Sequence, residues 1–237
     1  MKERTLPCRP QTRSPAPKAA RGHHEAAAGG GGSGRGRRRF WQEIFSAATM
    51  ILPSIYVLCY SPELAATAGF PRGIWLMACA TYAHCLASVM YHIQCAYRSC
   101  CGGDFDHFMS PFRVLDVTLI HTCCFAYGFA LSRGDLLFNG ISFLANLVCV
   151  TLLQWRMLCS VPGTTADSLR VVGCIIVYTM PMFMRGDMMN YLGMMLAYCL
   201  GGCLFSLNER LNGWGVGLFH AMLLPCTHFI LQSAAAA

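Results

Sequence analysis

One acidic residue and two histidines are the side chains best placed for chemistry in this sequence. Asp116 falls inside an apolar segment of helix length, and an ionised side chain at that depth costs roughly 3 kcal/mol or more on insertion scales. Such a residue is usually paired and usually functional. His92 and His220 lie on other apolar segments within plausible reach. If the three groups meet, they form a polar functional site inside the membrane.

A stripe of polar residues accompanies His92. His84, Ser88 and His92 are spaced four residues apart, which places them on one face of a helix. An isolated polar residue often bonds to a backbone carbonyl, but a stripe of three favours a shared polar interior. His84 lies about 12 Å along the axis from His92, as His228 does from His220. We therefore expect His84 and His228 to form a second, deeper polar layer.

The rest of the chain indicates a polytopic membrane protein. Of its 237 residues 55% are apolar and 12% are charged, about half the charge of a soluble domain. The apolar residues come in long runs rather than in alternation. We predict an all-α fold, a seven-transmembrane helix bundle with helices near residues 44–60, 74–97, 113–131, 136–154, 169–184, 188–206 and 214–232. Turn residues separate them, namely Ser61-Pro62, Gly102-Gly103-Asp104, Arg133-Gly134-Asp135, Pro162-Gly163, Arg185-Gly186-Asp187 and Asn212-Gly213.

The amino-terminal segment differs in composition from the rest. Residues 1–39 are rich in Arg, Pro, Ala and Gly, and such a sequence cannot bury enough apolar area to offset its chain entropy. We predict a disordered basic tail over 1–39 and the seven-helix transmembrane domain over 40–237. The simplest interpretation is a solvated tail that sets the orientation; contact with anionic lipid head groups and an organelle transit peptide are the alternatives. No nucleic acid is expected as a partner, because no folded basic domain or aromatic platform accompanies the tail; membrane lipids are the predicted partners.

The distribution of Lys and Arg predicts the orientation. With the amino terminus in the cytosol, fifteen of the eighteen Lys and Arg residues face the cytosol, as the positive-inside rule requires. If the tail is left out, five Lys and Arg residues lie on the cytosolic side and three on the opposite side. The first apolar segment also resembles a signal peptide followed by small residues, but the long basic tail before it favours an uncleaved helix. We expect an integral, multi-pass membrane protein with a cytosolic amino terminus.

The order of the helices predicts the depth of the three candidate residues. His92 lies near the end of the second helix, whereas Asp116 and His220 lie near the starts of the third and seventh. These helix ends share one side of the membrane, so the three residues are predicted at similar depth on the cytosolic side. His121 is five residues from Asp116, points away from it, and is expected to make packing contacts. The cysteines in the apolar segments are expected to pack as small apolar side chains.

These residues resemble a known family. The order Ser88-Val-Met-Tyr-His92 in the second helix, Asp116 in the third and a late His220 in the seventh resembles the CREST superfamily of seven-helix membrane proteins. That superfamily includes alkaline ceramidases, progestin and adipoQ receptors, and the myomaker-related group, which the Ser-Val-Met-Tyr-His sequence resembles most. The resemblance covers residues 44–232, and its motifs are short.

The resemblance implies a zinc site. It makes His92 and His220 metal ligands and Asp116 the acid that orients a zinc-bound water, with Ser88 beside the site as a supporting catalytic residue. The family pattern has a further histidine four residues before His220, but Val216 stands there in this sequence. A catalytic zinc normally keeps three protein ligands, so Asp116 would then have to bind the metal directly.

Two functions remain open from the sequence. The first is a zinc-dependent hydrolase of lipid amide or ester bonds, with zinc activating a bound water. The second is a non-catalytic membrane protein, acting in fusion, trafficking or assembly or as a receptor, with a degenerate metal site. Val216 shifts weight towards the second, because one lost imidazole weakens metal binding. A transporter is disfavoured, since the helices carry no repeated ionisable residues or inverted repeat.

Overall fold

The described part of the chain is entirely helical. The structure is a computed structural model that describes residues 32–101, 110–159 and 165–237. These residues form seven α-helices and no strand, which confirms the predicted seven-helix fold. The helices are α1 (Gly32–Thr67), α2 (Pro71–Cys101), α3 (Pro111–Leu131), α4 (Leu136–Leu158), α5 (Thr165–Met184), α6 (Met188–Ser206) and α7 (Gly215–Ala235). The predicted tail up to residue 31 and the predicted turns at 102–104 and 162–163 lie outside the described residues.

Most of these helices are suited to cross a membrane. Six of the described helices are long and apolar enough to do so; in α5 the apolar part, Ser168–Met184, is shorter. The lipid-facing character is clearest on α4 and α6, where large apolar side chains such as Leu136, Leu144, Met189 and Leu196 are exposed. The chain is therefore a multi-pass helical membrane protein.

The first helix is longer than the sequence predicts. The expected break at Ser61-Pro62 is wrong, because Pro53 and Pro62 both lie inside α1. Neighbouring helices can satisfy the backbone groups that a proline frees in a membrane helix. At the other end α1 begins at Gly32, so Glu43 lies within it. Asp116 is therefore not the single acidic residue of the helical segments.

The other three of the four predicted turns within the described part of the chain are confirmed. Arg133 and Gly134 have φ values of 56° and 75°, Gly186 has 73°, and Asn212 and Gly213 have 52° and 90°. This left-handed region favours glycine and asparagine. After the first of these turns the Asp135 carboxylate accepts a hydrogen bond from the Phe138 N–H at 2.7 Å, which caps α4. Each turn returns the chain into the bundle within a few residues.

The bundle is arranged around α1, α2, α3 and α7. Helix α1 packs on α2 and α7, α2 packs on α3, α3 also contacts α4 and α5, and α6 packs on α7. The interior is filled by large side chains that are at most 1% exposed, including Ile74, Met77, Tyr178, Met182 and Met194. The backbones of α2 and α3 approach closely at Gly73, where a Cβ atom would lie 2.8 Å from Ala130 Cα. This packing fixes the helices that carry the candidate site.

An arginine in the α5–α6 turn joins the ends of two other helices. The Arg185 guanidinium donates to the Leu131 carbonyl at the end of α3. It also donates to the Ser233 carbonyl near the end of α7 at 3.2 Å and to Ser233 Oγ at 3.1 Å. Carbonyls at helix ends have no intrahelical partner, so this side chain satisfies them and ties three helices together. The bundle is thus fastened at the side opposite His92 and His220.

Candidate functional site

Two histidines from α2 and α7 lie side by side in the bundle. The ring centroids of His92 and His220 are 5.1 Å apart, and the two residues are 5% and 8% exposed. Two imidazoles that bind one tetrahedral ion have ring centroids about 5 Å apart, given metal–nitrogen bonds of about 2.0 Å. The separation therefore fits two ligands of one metal ion.

Each of these histidines is held through its Nδ1 atom by a partner on α1. His92 Nδ1 lies 2.8 Å from Glu43 Oε2, and His220 Nδ1 lies 3.1 Å from the Ser46 carbonyl oxygen. A carbonyl or a carboxylate accepts, so both Nδ1 atoms donate, and in the neutral form of each ring the free lone pair is on Nε2. Metal-bound histidines are typically oriented by a carboxylate or carbonyl in this way. These contacts leave Nε2 as the atom of each ring with which a cation could be bound.

The Asp116 carboxylate has other partners. Its Oδ1 atom lies 3.3 Å from His84 Nε2 and its Oδ2 atom accepts from Arg113 at 3.0 Å. The Asp116 side chain is 5% exposed and that of His84 is 14% exposed, whereas Arg113 is 42% exposed. The Arg113 guanidinium in turn lies over the Tyr91 ring, 5.1 Å from its centroid. The buried carboxylate is therefore paired, as the energetics of the membrane interior require.

The pairing of Asp116 with His84 follows from the register of α2 and α3. Ser110, which precedes α3, donates to the Gln94 side chain at 2.5 Å, so α3 begins level with Gln94 rather than with the end of α2. Six residues into α3, Asp116 is consequently level with the segment between His84 and His92. It lies deeper than the positions near the helix ends suggest.

The three residues that the sequence puts forward as metal ligands do not converge on one point. Among the described residues, the ligand atoms of His92, His220 and Asp116 do not all lie within 4.8 Å of one another. Ser88 lies one turn from His92 on α2 and is 1% exposed. The arrangement accommodates two imidazole ligands, with the carboxylate one layer deeper.

Val216, at the position where the family pattern has a histidine, lies in the first turn of α7. Its N–H donates to the Asn208 side chain at 3.2 Å, and it is half-buried. The position provides no side-chain ligand, so His220 is the only histidine of the first half of α7.

The expected deeper layer of His84 with His228 is wrong. His84 is bound to Asp116, and His228 Nδ1 lies 2.6 Å from the Tyr56 hydroxyl on α1. The spacing argument placed both residues at equal depth but could not give the direction of either side chain around its helix. His228 belongs to an aromatic contact with Tyr56 and Phe229 instead.

A second group of metal-capable side chains lies elsewhere in the bundle. His121 on α3, Cys149 on α4 and Cys174 on α5 bring one ligand atom each to within 4.8 Å of the other two, so the group could hold a metal ion. The expectation for His121 was packing alone, and the cysteines were expected to act as apolar side chains. The three residues lie on three separate helices, so no motif within a single segment of the sequence could have predicted that they meet.

Glu43 is the residue of the first group that sequence reasoning missed. It lies between the predicted tail, 1–39, and the first predicted helix, 44–60, so it was not considered as a residue of the site. The sequence does indicate that Glu43 can meet His92, because the start of the first helix and the end of the second lie on the same side of the membrane.

Comparisons with protein-family models, with curated proteins and with solved structures gave no match. The interpretation of both groups therefore rests on their residues, distances and burial.

Proposed function

We propose that this protein is a CREST-like membrane hydrolase that binds zinc through His92 and His220 and cleaves a lipid amide or ester bond. The supporting observation is the pair of adjacent imidazoles, 5.1 Å apart, whose Nδ1 atoms are both engaged by acceptors on α1. A bound zinc ion would polarise a lipid carbonyl and lower the pKa of a coordinated water toward about 7.

The protein's own residues have separate roles in this proposal. His92 and His220 would hold the metal through Nε2, and Glu43 would keep His92 in the required tautomer. Asp116, whose carboxylate His84 and Arg113 hold one layer deeper, would be the buried group available to accept a proton. With two protein ligands rather than three, metal binding would be weaker than in a complete three-ligand site.

The substrate is proposed to enter from the lipid phase at the same end of the bundle. An apolar groove lined by Trp41, Ile44, Phe45, Ala48 and Trp214 lies between α1 and the start of α7. Glu43 and Ser46, which hold the two histidines, are on the same turns of α1. These two residues lie about 180° around α1 from the groove residues at 3.6 residues per turn, so an acyl chain in the groove would share the level of the imidazole pair on the other face of α1.

The test combines metal analysis with lipid hydrolysis. The full chain, purified in detergent with a tag free of histidine, is assayed for zinc and for release of fatty acid from ceramide and from phospholipid. We expect hydrolysis by the wild type and by His228→Ala, a control that removes an imidazole bound to Tyr56. His92→Ala and His220→Ala should lose one equivalent of zinc and the activity, whereas Asp116→Asn should lose the activity and keep the zinc.

A non-catalytic role is the second candidate, and Val216 favours it. With one ligand of the family pattern absent, the site can persist as a structural remnant in a fusion, trafficking or assembly factor or in a receptor. Wild-type protein that is folded, releases no fatty acid and loses no zinc in His220→Ala would establish this alternative.

A further inference from the structure

Three side chains between α3, α4 and α5, two of them buried and Cys149 half-buried, are arranged like the ligands of a soft metal ion. His121, Cys149 and Cys174 lie near the middle of α3, α4 and α5 respectively. Cys174 Sγ is 3.6 Å from His121 Nδ1 and 3.9 Å from Cys149 Sγ. His121 is 3% and Cys174 is 4% exposed. A histidine buried at this depth in a membrane protein calls for a specific partner.

These distances match those of a tetrahedral zinc site. With Zn–S bonds of about 2.3 Å and Zn–N bonds of about 2.0 Å, two sulfur ligands lie about 3.8 Å apart and a sulfur and a nitrogen about 3.6 Å apart. The observed separations of 3.9 Å and 3.6 Å are close to both values. An ion can therefore be accommodated with little movement of the helices.

Asn146 supplies a fourth ligand atom. Its Nδ2 atom donates to the Ser142 carbonyl at 2.9 Å, so its amide oxygen must face the other way. That oxygen accepts a hydrogen bond from His121 Nδ1 at 3.2 Å, so metal binding at Nδ1 would require the imidazole proton to be on Nε2. A nitrogen and an oxygen on one tetrahedral zinc are about 3.3 Å apart. The amide oxygen, one turn before Cys149 on α4, is thus the candidate for the fourth ligand on the His121 side of the group.

The charge of the ligand set selects the metal. Thiolate and imidazole ligands disfavour Mg²⁺ and Ca²⁺ and suit Zn²⁺ or Cu⁺. Two thiolates and one divalent ion leave no net charge, whereas Cu⁺ would leave one negative charge in the apolar interior, which is costly. Binding of Zn²⁺ displaces the two thiol protons, so a neutral group becomes a neutral complex.

We propose that His121, Cys149, Cys174 and the Asn146 amide oxygen form a structural zinc site that ties α4 and α5 to α3. Helix α4 is the element that gains most, because few of its side chains are buried and most of its surface faces lipid. The site is distinct from the His92–His220 pair and independent of the function proposed for that pair.

The experiment uses Co²⁺ as a probe, since thiolate-bound tetrahedral Co²⁺ gives charge-transfer and visible d–d absorption. The full chain is purified in detergent, reduced, freed of metal and titrated. We expect one equivalent of Co²⁺ with thiolate charge transfer in the wild type, in His220→Ala and in Cys226→Ser, which removes a thiol that is 1% exposed on α7. Cys149→Ser and Cys174→Ser should lose this absorption, and Asn146→Ala should bind about 10-fold more weakly with altered d–d bands.

Wild-type protein supplies a second readout that depends on no substitution. Zn²⁺ should protect Cys149 and Cys174 from alkylation, as followed by peptide mass spectrometry, and a chelator should reverse the protection. Several results overturn the proposal: absent thiolate charge transfer, charge transfer that persists in Cys174→Ser, or alkylation of both cysteines at the same rate with and without Zn²⁺. Copper in place of zinc in the protein as isolated would also overturn the assignment. Loss of zinc in His220→Ala with unchanged zinc in Cys174→Ser would support the hydrolase site and overturn this one, whereas the reverse pattern would support this site and count against the hydrolase site.

Discussion

His92 Nδ1 on α2 lies 2.8 Å from Glu43 Oε2 on α1. The Glu43 side chain is 20% exposed and the His92 side chain is 6% exposed, so the contact joins a partly exposed carboxylate to a buried imidazole. A carboxylate bound to the far nitrogen of a ligating histidine fixes its tautomer and raises its basicity. Glu43 is therefore the positioning residue for His92.

Substitution of Glu43 should weaken the metal site more than it weakens the fold. We expect Glu43→Gln to lower the zinc affinity of the His92–His220 pair by about 10- to 100-fold, because the neutral amide is a poorer acceptor. Competition with a chelator measures this affinity. The control is Glu63→Gln, an exposed acid on the same helix, which should leave the affinity unchanged. Equal affinities in all three proteins would remove Glu43 from the site.

The Asp116–His84 pair should behave as a buried pair. His84→Leu leaves the carboxylate with only the half-exposed Arg113, and we expect a loss of about 3 kcal/mol in the free energy of unfolding. The double variant His84→Leu/Asp116→Leu should lose less than the single variant, because it leaves no unpaired buried charge. Thermal unfolding in detergent measures both. Additive losses from the two changes would contradict the pairing.

Zinc should stabilise the protein through the cysteine cluster. At a free Zn²⁺ concentration about 100-fold above the dissociation constant, binding contributes about 2.7 kcal/mol, a shift of several degrees in Tm for a chain of this size. Wild type and Cys226→Ser should show the shift, and Cys174→Ser should show a smaller one or none. Differential scanning fluorimetry with and without chelator is the measurement. An undiminished shift in Cys174→Ser would place the stabilising ion elsewhere.

Substitution by alanine should have opposite effects on stability at two glycines, one in close contact with a neighbouring helix and one without a neighbour. Gly73→Ala brings a methyl group to within 2.8 Å of Ala130 Cα, and we expect a loss of about 1–3 kcal/mol from overpacking between α2 and α3. Nothing lies within 4 Å of a Cβ atom at Gly202. Gly202→Ala should therefore be neutral or stabilise α6 by up to about 1 kcal/mol. The midpoint of thermal unfolding distinguishes the two, and equal effects would contradict the close approach of α2 and α3.

The proposed orientation can be mapped by glycosylation. An acceptor sequence inserted into the Arg133–Asp135 turn should be modified, because the alternation of the helices and the Lys and Arg distribution place this turn opposite the cytosol. The same sequence inserted between α6 and α7, at 207–213, should remain unmodified. A shift in electrophoretic mobility that a glycosidase reverses is the readout. The reverse pattern would show that the protein has the opposite orientation in the membrane.

The fold was predictable because it depends on local signals. Apolar runs of spanning length and turns built on Gly134, Gly186 and Gly213 are visible in the sequence, and each is confirmed. The break at Pro62 was mispredicted because proline ends a helix in water more strongly than in a packed membrane bundle. Helix existence thus follows from composition, whereas helix length depends on neighbouring elements.

The contacts of the site were only partly predictable. The up-and-down order of the helices correctly puts His92 and His220 at the same depth, because the depth of each residue follows from its distance to the nearer end of its helix. It cannot give the register of α2 against α3, which the Ser110–Gln94 bond reveals, and Asp116 therefore meets His84. The cysteine cluster was missed because a buried thiol in an apolar run has the sequence signature of ordinary packing.

The Arg185 guanidinium has a mechanical consequence. Because it bridges the last turns of α3 and α7 while its own backbone belongs to the short α5–α6 turn, those ends cannot separate without breaking several hydrogen bonds at once. Separation of the helices is therefore more restricted at this end of the bundle than at the end that carries His92 and His220.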